Sequence, residues 1–148
     1  MPYYAHIRQD ENGQTIYQTV AEHLTGTAAL CRKFAADFGA EADGDLMGLA
    51  HDLGKCTDAF QKRLLEGGPV VDHTMAGMLT CIKMKRPSAA ACAAGHHGGL
   101  LDVGNLRTDR AGEATLSGRF KKGAEGHYLE PVSYTPLRAH ETRSNLVC

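Results

Sequence analysis

Between residues 15 and 97 the chain consists of five consecutive segments whose apolar residues recur at helical spacing. Each segment ends near a glycine or a proline, and none shows the alternating valine- and isoleucine-rich pattern of a strand. The pattern predicts an all-α fold of antiparallel and crossed helices joined by short loops. The predicted helices cover residues 15–38, about 45–54, 57–67, 72–86 and 87–97.

Local signals define several of these boundaries. The first helix is expected to end at Gly39, and the third to run from an N-cap at Thr57 to Gly67. The fifth helix opens with Pro87, a residue favoured in a first helical turn. The predicted apolar face of the first helix comprises Ile16, Val20, Leu24, Ala28, Cys31, Phe34, Ala35 and Phe38.

The remainder of the chain has a different character. Residues 98–130 are glycine-rich and predict a long loop with one short helix. Residues 131–148, "PVSYTPLRAHETRSNLVC", share neither composition nor periodicity with the rest and are interpreted as a non-native or disordered tail. The expected organisation is one domain over residues 1–130, incomplete at its C-terminus, followed by that tail.

Composition excludes several classes of protein. The chain has 148 residues, 43% of them hydrophobic and 22% charged, which is typical of a globular domain. A formal net charge of −1 gives no global electrostatic case for nucleic-acid binding. The five cysteines are scattered without a C-x-x-C pair, which favours reduced thiols and a cytoplasmic location. No apolar run is long enough to span a membrane.

Histidine is the unusual residue of this composition. Five of the eight histidines lie within or at the edge of predicted helices, and one of the five is followed directly by an aspartate in "AHDLGK". A single His-Asp pair is usually a capping or salt-bridge pair, but this set could supply the contacts of two metal ions. The candidate ligands are His23, His51, Asp52, His73, His96 and His97, whereas His6, His127 and His140 fall outside the pattern.

Longer motifs point to one family. The phrases "HDLGKCTDAFQKRL", "VDHTMAGM" and "AGHHGGL" follow "EHLTGTAALCRKFA" in order, and "YYAHI" stands near the start. Over residues 3 to about 101 the chain resembles the HD nuclease domain of the type I CRISPR helicase–nuclease. The resemblance implies an HD-domain helical bundle that acts in antiviral defence as a metal-dependent endonuclease or exonuclease on single-stranded DNA. It also implies a helicase domain and a guide-RNA surveillance complex as partners.

The resemblance assigns roles to individual positions. His23, His51 and Asp52 would hold one metal ion. Asp52 would bridge to a second ion, whose other ligands would be His73, His96 and His97. Imidazole ligands favour manganese, iron, cobalt or nickel; magnesium, which prefers oxygen ligands, is the alternative. Lys55 has two interpretations: a cation that stabilises charge on the scissile phosphate, or a solvated lysine at a helix C-terminus.

One departure from the family keeps other functions open. The family supplies a further aspartate from a downstream helix, and neither Asp102 nor Asp109 stands in the right context. We therefore expect a C-terminally truncated nuclease domain that binds close to one transition-metal ion per chain and cleaves DNA weakly or not at all. The alternatives are an HD-type phosphohydrolase acting on nucleotides and an inactive metal-binding fragment.

Overall fold

The computed structural model describes residues 2–126 and Tyr128, and the all-α prediction is confirmed for this part of the chain. The described part contains six α-helices in a bundle, preceded by a two-stranded antiparallel hairpin. Its elements are β1 (Tyr4–Gln9), β2 (Thr15–Thr19), α1 (Val20–Ala35), α2 (Glu41–Ala50), α3 (Asp58–Glu66), α4 (Thr74–Lys83), α5 (Pro87–Gly95) and α6 (Leu116–Glu125), with short 3₁₀ helices at Ala36–Phe38 and Leu53–Cys56.

The hairpin replaces what was predicted as the first turn of the first helix. Residues 15–19 form β2 and pair with β1, so the prediction of a helix beginning at residue 15 is wrong. The chain switches to a helix at Thr19, whose hydroxyl accepts a hydrogen bond from the Glu22 N–H at 3.2 Å. The Glu22 carboxylate accepts the Thr19 N–H in return at 2.9 Å. This reciprocal capping box fixes the start of α1 at Val20.

Helix α1 buries only part of its predicted apolar face. Val20, Leu24 and Ala28 are buried, whereas the side chains of Phe34 and Phe38 are 66% and 84% exposed, so the prediction is wrong for these two phenylalanines. The helix packs mainly against α2, and its last turn gives way to a 3₁₀ helix that carries Phe38 away from the core.

The other predicted boundaries vary in accuracy. Helix α3 begins after an N-cap at Thr57 and ends at Gly67, as predicted. Helix α2 begins four residues earlier than expected and stops at Ala50, because the backbone of "HDLGK" turns into a 3₁₀ helix. Helices α4 and α5 are shorter than predicted. The two adjacent histidines consequently follow the end of α5, and His96 is its C-cap.

Two groups of buried apolar side chains hold the bundle together. One lies among α2, α4 and α5 and contains the fully buried Met75 and Cys81. The other joins β1, α1 and the end of α2, and contains Leu24 and Leu53. Burying a side chain of this size stabilises the fold by about 1.5–3 kcal/mol. Leu53 follows Asp52 directly, so the second group anchors the segment that carries the His-Asp pair.

The long loop between α5 and α6 is tied to the helix that follows it. The Asp109 carboxylate accepts hydrogen bonds from the Asn105 N–H at 2.9 Å and the Thr115 hydroxyl at 2.7 Å, and a further one from Ser117. The predicted domain boundary after residue 130 and the tail 131–148 lie outside the described residues, as do His127 and His140. In the part that is described, each helix is too short or too polar to cross a membrane.

Candidate metal centre

Asp52 lies at the centre of the histidine cluster and is only 3% exposed. It follows the last residues of α2 and precedes the 3₁₀ helix Leu53–Cys56. Its Oδ2 atom lies 2.8 Å from His23 Nε2, 3.2 Å from His51 Nε2 and 2.9 Å from Lys55 Nζ. The Asp52 Oδ1 atom lies 3.2 Å from His73 Nε2 and 3.1 Å from His96 Nε2. The carboxylate thus has a different set of partners on each oxygen.

The histidines reach this carboxylate from four different helices. His23 lies in the first turn of α1, and His51 is the C-cap of α2. His73 is the N-cap of α4, and His96 is the C-cap of α5. His97 is exposed, and its Nε2 lies 2.7 Å from that of His73. The structure therefore brings together all six candidate ligands that the sequence analysis named.

A close backbone contact holds two parts of the cluster in place. The N–H of Gly54 donates a hydrogen bond to the carbonyl of His73 at 3.1 Å. A Cβ atom at position 54 would overlap the backbone of His73, so only glycine permits this approach. The contact joins the His-Asp segment directly to the start of α4.

Backbone carbonyls fix the proton positions on two of the rings. His51 Nδ1 lies 2.8 Å from the Gly48 carbonyl oxygen, and His96 Nδ1 lies 2.9 Å from the Ala93 carbonyl oxygen. A carbonyl oxygen only accepts, so each Nδ1 carries the proton and each Nε2 of the neutral ring presents a lone pair. Each Nε2 faces the Asp52 carboxylate. A protonated ring donates its Nε2–H to that carboxylate, and a neutral ring offers its lone pair to a bound cation beside it.

Asp52 stays ionised despite its burial. Burial by itself raises the pKa of this carboxyl, but its contacts with the imidazoles of His23, His51, His73 and His96 lower the pKa by more. Lys55 adds a buried ammonium group, and the side chains of Asp52 and Lys55 are each only 5% exposed. The interpretation of Lys55 as a solvated lysine at a helix end is therefore wrong, because its side chain is buried beside Asp52.

The cluster also includes a histidine that the sequence analysis did not select. His6 Nε2 lies 3.2 Å from Lys55 Nζ, and the ring of His6 packs edge-on against that of His23 with centroids 4.8 Å apart. Burial, followed by the charge of Lys55, lowers the pKa of His6 and favours its neutral ring. The opening "YYAHI" contains this residue, but its contact with the cluster depends on a hairpin that was not predicted.

Asp72 and Asp109 lie outside this cluster and already have structural partners. Asp72 accepts hydrogen bonds from the Thr74 hydroxyl at 2.8 Å and from Arg119 at 3.1 Å. Asp109 is occupied by the hydrogen bonds of its own loop. Among the described residues, two groups of side chains place their possible ligand atoms close together, and neither Asp72 nor Asp109 belongs to them. One group is Asp52, His73, His96 and His97, and the other is His6, His23 and Asp52.

The comparison with protein families agrees with this geometry. The model of the HD domain matches residues 20–141, which is most of the chain. The chain belongs to the HD domain family. The HD match begins with α1 and runs past residue 130, onto residues that the structure does not describe, so the predicted tail stays a prediction. A comparison with curated proteins finds no match to this HD chain.

Membership of the HD family indicates a metal-dependent hydrolase that acts on phosphate esters. The side chains of this chain fit such a role. The possible ligand atoms of each group lie within 4.8 Å of one another, and the Nε2 atoms of His51 and His96 lie 3.2 and 3.1 Å from an ionised carboxylate. Imidazole-rich sets of this kind suit first-row transition metals.

Proposed function

We propose that this chain is the nuclease domain of a type I CRISPR helicase–nuclease and hydrolyses phosphodiester bonds of single-stranded DNA with the help of divalent transition-metal ions. The observation that carries the proposal is the arrangement around Asp52, where imidazoles from four helices converge on both oxygens of one buried carboxylate. The order of the motifs "HDLGK", "VDH" and "GHHGGL" supports the CRISPR assignment. A cytoplasmic location and partnership with a helicase and a guide-RNA complex belong to the same proposal.

The division of contacts at Asp52 supports two ion positions. His23 and His51 would hold one ion together with Oδ2, and His73, His96 and His97 would hold the other together with Oδ1. When bound, such ions supply Lewis-acid polarisation of the phosphodiester and activation of water.

The residues of the chain itself prepare the site for this chemistry. The carbonyls of Gly48 and Ala93 hold the rings of His51 and His96 in one orientation by accepting their Nδ1–H protons. Asp52 provides negative charge that offsets the charge of bound cations. Lys55 contributes a fixed ammonium beside Asp52 and, in the proposed role, stabilises the charge that develops on the phosphate during hydrolysis.

The direct test is hydrolysis of circular single-stranded DNA by the metal-loaded protein. We expect weak nicking with manganese, cobalt or nickel and none with excess chelator. Asp52→Asn should abolish nicking. The matched control is Asp37→Asn, which makes the same change at an exposed site in the 3₁₀ helix Ala36–Phe38, and it should leave nicking unchanged.

The same assay separates the alternatives. Release of phosphate from mononucleotides without any nicking would replace the nuclease proposal with a nucleotide phosphohydrolase. Bound metal without turnover of either substrate would show that this chain is an inactive metal-binding fragment.

A further inference from the structure

A cleft of about 430 Å³ lies beside the metal centre, between the hairpin and the start of α1. The register of the hairpin pairs His6 with Gln18 and Arg8 with Ile16, which places these four side chains on one face of the sheet. This face lines the cleft, and Tyr17 and Glu22 complete its walls. Its volume falls in the range of about 300–1,000 Å³ that is usual for small-ligand sites.

The cleft and the metal centre share one residue. His6 belongs to both, because it lines the cleft while its ring packs against His23 and its Nε2 lies 3.2 Å from Lys55 Nζ. His23 in turn lies 2.8 Å from Asp52. The shared residue makes the cleft a candidate for the part of a polymeric substrate next to a phosphodiester held at the metal centre.

The walls of the cleft offer the groups that a nucleotide requires. Arg8 is exposed and forms no ion pair within residues 2–126, so its guanidinium is available to a phosphate. Ile16 provides a half-buried apolar surface for a sugar or a base, and Gln18 provides an amide that both donates and accepts hydrogen bonds.

The carboxylate of Glu22 limits which phosphates the cleft can hold. Glu22 is held by the capping box, and its hydrogen bonds with Thr19 lower its pKa, so it remains ionised. A carboxylate in the wall disfavours the doubly charged terminal phosphate of a mononucleotide more than the singly charged phosphodiester of a strand. The cleft is therefore suited to a nucleotide inside a strand.

We propose that this cleft binds the nucleotide next to the scissile phosphodiester, with Arg8 contacting the adjoining phosphate and Ile16 and Gln18 contacting the sugar and base. The inference rests on the proposed nuclease function and adds a substrate subsite to it. The hairpin lies before residue 20, where the HD family match begins, so Arg8, Ile16 and Gln18 lie outside the family match.

The first test measures binding without catalysis. A fluorescein-labelled oligothymidylate is titrated with the full chain in excess chelator, and anisotropy is followed at several salt concentrations. We expect Arg8→Gln to weaken binding about tenfold and to reduce the slope of log K against log salt by about one, as the loss of a single phosphate contact does. The matched control, Arg32→Gln, removes the same charge near the far end of α1 and should change neither quantity. Equal affinities and slopes for the wild type and Arg8→Gln would overturn the subsite.

The second test uses the metal-loaded protein and separates this inference from the proposed function. Bis(p-nitrophenyl) phosphate has no neighbouring nucleotide, so Arg8→Gln should hydrolyse it as the wild type does, while the KM for the oligonucleotide rises about tenfold. If the wild type hydrolyses both substrates and Arg8→Gln has the same KM values, the subsite is wrong and the nuclease proposal stands. If the wild type hydrolyses neither substrate, the nuclease proposal fails, and the binding test in chelator still decides whether the cleft holds a nucleotide.

Discussion

Replacing Asp52 with asparagine should destabilise the metal-free protein as well as remove its metal. Asn has nearly the same shape as Asp, so packing is preserved and only the charge is lost. Lys55 lies 2.9 Å from Asp52, and each side chain is only 5% exposed. Removing one partner of a buried ion pair leaves the other charge uncompensated and costs about 3–5 kcal/mol.

Urea denaturation in excess chelator measures this effect without a contribution from bound metal. With an m-value of about 2 kcal/mol/M for a chain of this size, the midpoint of Asp52→Asn should fall by roughly 1.5–2.5 M. The double variant Asp52→Asn/Lys55→Met removes both charges and should recover most of the loss. Unchanged stability in the single variant would show that Lys55 does not depend on Asp52.

Metal binding by Asp52→Asn provides the second half of the prediction. A carboxylate offers two anionic oxygens, whereas an amide offers one neutral oxygen, so both ion positions should weaken. Calorimetric titration with manganese should show no tight site in the variant. Two ions bound with wild-type affinity would refute the bridging role of Asp52.

Three further predictions test other parts of the structure. His97→Ala should remove one equivalent of bound metal, measured by mass spectrometry, and leave the circular dichroism spectrum unchanged, since the residue is exposed and follows the end of α5. Gly77→Ala should lower the melting temperature and also weaken manganese binding, because a Cβ there would overlap the carbonyl of Ala50, one residue before the His-Asp pair. Hydrogen bonds, led by that from Ser117, lower the pKa of Asp109 to about 2. The ionised carboxylate therefore stabilises the fold above a pH of about 4, and this contribution is lost as the pH falls towards 2. The difference in melting temperature between the wild type and Asp109→Asn should shrink over the same pH interval.

Local sequence signals predicted two helix starts correctly. Thr57 caps α3 with its own hydroxyl and Pro87 opens α5, and both were predictable from residue type. The hairpin was not predictable in this way. The spacing of Ile16 and Val20 fits a helix, and only pairing with β1 and the cap at Thr19 make residues 15–19 a strand.

The same distinction applies to the metal centre. Histidines near helix ends, next to "HDLGK", indicated which residues would converge, because the ends of packed helices lie close together. The burial of Lys55 and the approach of His6 depend on β1, which closes over the centre from more than 40 residues away in sequence. Contacts of that range leave no periodic signal in a single sequence.

The hydrogen bond from Gly54 to His73 makes a single amide a reporter on the whole ligand set. Its donor lies two residues after Asp52 and its acceptor is the carbonyl of a candidate ligand residue, so the bond breaks when α4 separates from the His-Asp segment. Hydrogen exchange at the Gly54 amide would therefore measure how often this contact opens in the metal-free protein. Slow exchange at this one position would mean that the ligands are already held in place before an ion arrives, and that metal binding does not bear the entropic cost of assembling them.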